Sequence, residues 1–182
     1  MRSEDLDLEE LGRTIQLLYD GFSSVYSGVG ILAPFVPSEG YAAEVAPLYA
    51  AAFAARSERV GGRRYSVYYE PGCGTGEVAA SVAERNIYSI CLELDEDLAR
   101  KAKERLSTLP SADVVIGDLA TFRPRRADVA YAYLLPRGVS AAIDSLRGLR
   151  TVVLSLDFPA EGGEEPVAVL GVAHRRIYVY VT

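Results

Sequence analysis

The chain has 182 residues, 49% of them hydrophobic, and a formal net charge of −6. That length supports one compact domain with its own core, and the acidic balance argues against broad nucleic-acid binding through a basic face. No apolar run reaches the roughly 18 residues of a membrane span, and the acidic opening, residues 1–10, fits neither a signal nor a transit peptide, so a cytoplasmic protein without membrane partners is expected.

In chain order, residues 5–19 read as an amphipathic helix with Leu8, Leu11, Ile15 and Leu18 on one stripe. Asp7 and Glu10 are placed to form its capping box. Residues 1–33 are expected to be an N-terminal helical extension. Residues 21–40 are rich in turn formers, and Ser38 suits the N-cap of a helix over 39–55 that Pro47 should kink.

The centre of the chain follows. Residues 67–70 read as a buried strand that runs into a turn with Gly72, Gly74 and Gly76 at alternate positions. A helix with small and apolar residues over 77–84 comes next. Strand, glycine turn and helix form the opening unit of a nucleotide-binding α/β fold. The dinucleotide fingerprint would need a glycine where Glu77 stands, and no Gly-Lys-Ser/Thr follows the turn. Glu70 and Glu77 flank the turn with negative charge, which suits a cationic ligand better than a pyrophosphate. S-adenosylmethionine, with its sulfonium and no phosphate, is such a ligand.

Residues 87–94 are predicted as the second strand, and Glu93, about 20 residues after the turn, is placed to accept hydrogen bonds from ribose hydroxyls. Asp95 is the expected N-cap of a helix over 96–106. A third strand over 113–116 leads to Asp118, a candidate either for an adenine amino group or for a helix cap, and to Leu119. The fourth strand, 128–135, ends in Tyr131, Tyr133, Leu134 and Leu135. Such a rim can hold a lysine stem and attract its ammonium, while one of the tyrosines is expected in the core. Strands over 151–156, 167–172 and 176–181 complete the chain, the last pair antiparallel and joined near His174, a surface residue in this reading. Cys73 and Cys91 are expected as buried thiols; two cysteines so spaced suggest no metal site.

The acidic residue followed by Gly-x-Gly-x-Gly, as in Glu70, Gly72, Gly74 and Gly76, resembles the first motif of class I methyltransferases. A narrower resemblance is to small archaeal protein-lysine methyltransferases and their mitochondrial relatives that modify the ADP/ATP carrier and ATP-synthase subunit c. It is carried by Phe35-Val36-Pro37-Ser38, Cys91-Leu92-Glu93, Gly117-Asp118, the apolar strand end 131–135, Asp157-Phe158-Pro159 and the closing strand 177–180. Pro71 departs from the aliphatic residue usual in the first motif, and residues 1–33 have no counterpart.

The resemblance implies a methyltransferase domain over 34–182 with a Rossmann-like doubly wound sheet of about seven strands, the last antiparallel, and helices on both faces. It implies S-adenosylmethionine as cofactor, bound by Glu70, Gly72, Gly74, Gly76, Glu93, Asp118 and Leu119, with Phe35, Val36 and Ser38 folded over it. Tyr133 is the candidate for orienting the acceptor amine, and the expected partner is a protein with exposed lysines. Methylation of RNA or a small molecule on the same fold, or a non-catalytic cofactor-binding subunit, are the alternatives.

Overall fold

A computed structural model describes residues 66–172 and 175–182. The segments predicted over 1–64, Phe35, Val36 and Ser38 among them, lie outside the described residues, as does His174. The elements run β1 (Val67–Pro71), α1 (Glu77–Ala83), β2 (Tyr88–Glu93), α2 (Glu96–Leu106), β3 (Ala112–Ile116), β4 (Val129–Ala132), α3 (Pro136–Leu146), β5 (Val152–Leu156), β6 (Ala168–Val172) and β7 (Arg175–Val181).

They form a seven-stranded sheet in the order β3-β2-β1-β4-β5-β7-β6. The first five strands are parallel, and β7 runs antiparallel to both β5 and β6. The strand order reverses between β1 and β4, and ligands of such sheets sit at the carboxyl ends of the strands beside that reversal.

Alternation along the strands divides the core in two. Tyr68, Tyr131 and Leu154 share one cluster with Val78, Val82, Ala102 and Leu106 of α1 and α2. Tyr69, Ala130 and Val153 share the other with Val139, Ile143 and Leu146 of α3. Strands covered on both faces read as near-continuous apolar runs, which is why β1, β4 and β5 are buried throughout. The helices begin as their sequences dictate: Asp95 accepts from the N–H groups of Asp97 and Leu98, and Pro136 opens α3, where no N–H is needed. Among the described residues no helix is long and apolar enough to cross a membrane.

One expectation is corrected here. Cys73 and Cys91 are not free thiols; they are joined in a disulfide with Cα atoms 5.4 Å apart. The register of β1 on β2, which sets Glu70 beside Cys91 and Pro71 beside Leu92, brings the turn after β1 over the second cysteine.

Candidate cofactor and acceptor site

The glycine turn is built to approach other backbone closely. Gly72, Gly74 and Gly76 all have positive φ, at 71°, 56° and 74°, a region that L side chains avoid. A Cβ on Gly76 would stand 3.0 Å from the Ala102 Cβ, so this glycine lets α2 pack against the turn. A Cβ on Gly72 would meet the Leu134 Cδ2 at 2.8 Å. The exposed first glycine therefore lies against the side chain that follows β4, which places the ends of β1 and β4 at one cleft.

The turn is tied to the end of β2. The N–H groups of Gly72 and Cys73 both donate to the Leu92 carbonyl, at 2.8 and 3.1 Å. Gly74 N–H donates to Glu93 Oε2 at 2.7 Å. The other oxygen of Glu93 accepts from Leu94 N at 2.8 Å and Asp95 N at 3.0 Å. Glu93 thus stands at the predicted place, its orientation fixed by three backbone donors. Next to it Leu94 is 65% exposed, an apolar surface at the carboxyl edge of the sheet. Asp118 stands exposed after β3; its Oδ1 accepts from Ala120 N at 2.8 Å within a turn, and no helix begins there for it to cap. Leu119 beside it is half-buried against the α3 face.

Glu70 behaves differently from its reading as a negative flank. It is 6% exposed, and burial pushes its carboxyl up to about 8, opposed by hydrogen bonds from the Tyr68 hydroxyl and the Ala79 N–H. The Tyr68 hydroxyl donates to Oε2 at 3.1 Å. Burial therefore favours the protonated form, and the Glu70 carboxyl is held by Tyr68 of β1 and Ala79 of α1. The other carboxylates around the turn are Glu93, Asp95 and Glu77, the last paired with Arg105.

Arg105 of α2 has no motif to mark it, yet it holds the turn: its Nε donates to the Thr75 carbonyl and an Nη to Glu77 Oε1, both at 3.0 Å. The helical periodicity of residues 96–106 placed Arg105 on an exposed face, and only the approach of α2 to Gly76 shows what it reaches.

Across the cleft, β4 ends at Ala132, earlier than predicted. Tyr131 is buried in the α1 face and is the core tyrosine. Tyr133 is half-buried; its ring stacks on Phe158, with centroids 6.2 Å apart, and lies 5.0 Å from the Arg175 guanidinium. Arg175 is paired with Asp157, its Nε donating to Oδ2 at 2.9 Å. The cation beside this ring is the chain's own, so the ring is already engaged by a guanidinium. Leu135 is 69% exposed and completes an apolar edge with Leu134.

The fold is an α/β architecture shared with class I methyltransferases of known structure. No protein-family profile matches it. It is similar to an RNA methyltransferase of Salinibacter ruber crystallised with S-adenosyl-L-homocysteine, at a TM-score of 0.57 and 24% identity, over 64% of this chain and 80% of that one. It is similar also to PH1948 of Pyrococcus horikoshii, a proposed RNA methyltransferase, at a TM-score of 0.56 and 16% identity, over 93% and 98% of the two chains. In sequence it is 32% identical over 74 residues to an rRNA adenine N-6-methyltransferase of Saccharopolyspora erythraea. That match spans 41% of this chain and 19% of the relative.

Proposed function

We propose that the protein is an S-adenosylmethionine-dependent methyltransferase whose acceptor is a protein lysine. The observation that supports the cofactor is the pairing of Glu93 with the three-glycine turn. An oriented carboxylate suits a ribose diol, an exposed Gly72 leaves backbone open to a ligand, and the neighbouring carboxylates suit a cation. When bound, the sulfonium supplies an electrophilic methyl group.

The chain's own contribution is to align an acceptor with that methyl and to keep water away, the proximity effect. Leu134 and Leu135 form an apolar edge that favours the neutral, nucleophilic form of a lysine amine, so no dedicated base is required. The strand end at Tyr133–Pro136 lacks the Asn/Asp-Pro-Pro-Tyr/Phe segment of the amino-methylating DNA enzymes. Glu161, Glu164 and Glu165 lie in the loop that meets α3 through the Ser140 hydroxyl; Glu164 is paired with Arg147, and Glu161 and Glu165 favour a cationic partner. Tyr133 is the residue assigned to orient the amine.

RNA is the second reading. The similarity to RNA methyltransferases described above favours it.

The test is incubation with radiolabelled S-adenosylmethionine and a lysate of the source cells, resolved before and after protease and nuclease. Label in protein bands that yield methyl-lysine is expected. Nuclease-sensitive label would replace lysine by RNA. Absence of label despite cofactor binding would leave a small-molecule acceptor or a non-catalytic subunit, and absence of binding would sink the cofactor reading itself.

A further inference from the structure

The disulfide lies inside the machinery just described. Cys73 stands between Gly72 and Gly74, and Cys91 stands two residues before Glu93. Both are buried, at 6% and 0% exposure, while the adjoining Gly72 opens to the cleft. The bond closes a separation of 18 residues that contains the whole of α1. It is flanked by the hydrogen bonds from Gly72, Cys73 and Gly74 to Leu92 and Glu93. Three glycines in five residues give the turn high backbone freedom, so whatever anchors it decides how much order a ligand must impose.

We propose that the Cys73–Cys91 bond is a redox-sensitive latch on the cofactor turn. Closed, it holds the turn against β2 in a shape ready to receive S-adenosylmethionine; opened, it leaves the turn to its hydrogen bonds with Leu92, Glu93 and Arg105 and lowers affinity. Opening takes two electrons and two protons from a dithiol, which departs as its own disulfide while Cys73 and Cys91 become thiols. Disulfides are rare in cytosolic proteins outside hyperthermophiles, so this bond meets a reducing pool wherever such a pool exists. The inference rests on the cofactor reading above.

The full chain is titrated calorimetrically with S-adenosylhomocysteine, as purified and after dithiothreitol, with thiols counted under denaturing conditions and the fold followed by circular dichroism. The expected result is two thiols released per chain, an intact fold, and affinity about tenfold weaker, restored on reoxidation. By reciprocity, saturating S-adenosylhomocysteine should move the bond's reduction midpoint about 30 mV more negative. The Cys73→Ala/Cys91→Ala variant should bind with the weaker affinity whether or not reductant is present. Equal affinity within twofold, two thiols titrating before any reductant, or unfolding of both the reduced chain and the variant would overturn the latch. No binding by the oxidised chain would overturn the cofactor reading, and the latch with it.

Discussion

The backbone N–H of Gly74 donates to Glu93 Oε2 at 2.7 Å, across 19 residues of sequence. One hydrogen bond thus joins the turn after β1 to the carboxylate that ends β2. The group that would read a ribose also sets the shape of the loop beneath it. On the proposed cofactor reading, this side chain couples binding to loop order.

Glu93→Gln tests that coupling. An amide presents one acceptor where the carboxylate presents two, so one of the donors from Gly74, Leu94 and Asp95 loses its partner. Charge-assisted hydrogen bonds contribute about 1.5–3 kcal/mol each. The expected outcome is S-adenosylhomocysteine affinity at least tenfold weaker together with a lower Tm, measured by calorimetry and thermal melts. Unchanged affinity would remove Glu93 from the cofactor site.

The first and third glycines of the turn should respond differently to alanine. At Gly76 the new Cβ would meet Ala102 Cβ at 3.0 Å and its Cα at 3.3 Å, with positive φ as well. The backbone of α2 cannot step aside, so a loss of about 2–4 kcal/mol is expected. At Gly72 the obstacle is the mobile end of Leu134, so the cost should be about 1–2 kcal/mol, chiefly from φ. Chemical denaturation of Gly72→Ala, Leu134→Ala and the double variant measures the contact as a coupling energy; full additivity would mean that Leu134 does not press on the turn.

Glu70 predicts a pH dependence of stability. Its carboxyl is raised from 4.5 to about 8 by burial, so between those values the folded chain keeps a proton that the unfolded chain has lost. Its contribution is full below about pH 4.5, declines as pH rises, and is gone above about pH 8. Glu70→Gln keeps the shape without the charge. Its Tm at pH 9 should exceed that of the parent, with the two converging near pH 5; parallel curves throughout would contradict the assignment.

Asp157 and Arg175 should act through Tyr133. Asp157 has φ of 64°, a conformation that asparagine also tolerates, so Asp157→Asn removes charge with little backbone cost. The half-buried guanidinium then loses its carboxylate, and a loss of about 1–2 kcal/mol is expected in denaturant melts. Tyr133→Phe keeps the stacking on Phe158 and should leave Tm nearly unchanged while slowing methyl transfer. Unaltered turnover would deny the hydroxyl a role and leave only the ring's packing.

Much of the architecture is legible along the chain because each element announces itself locally. The apolar runs of β1 and β5, the glycine turn, the Asp95 cap and the 3.6-residue stripe of α2 are all short-range signals, and each element lies where they point. Glu93 is legible for the same reason, since a strand end and a distance from the turn locate it. Three features are not. The pairing of Cys73 with Cys91 depends on strand register, which brings residues 18 apart in sequence to a Cα distance of 5.4 Å. The upward shift of the Glu70 carboxyl depends on α1 and the sheet closing over it. The contact of Arg175 with Tyr133 joins β7 to the end of β4, strands separated in the sheet by β5.

By itself, then, the amino-acid order determined a doubly wound α/β fold, its glycine turn and the place of Glu93 at the end of β2, because periodicity, capping and turn chemistry act over a few residues. Tertiary structure alone decided which side chains are charged, paired or covered at that cleft. Burial and distance between remote segments set those properties, and neither is written in any local stretch of the chain.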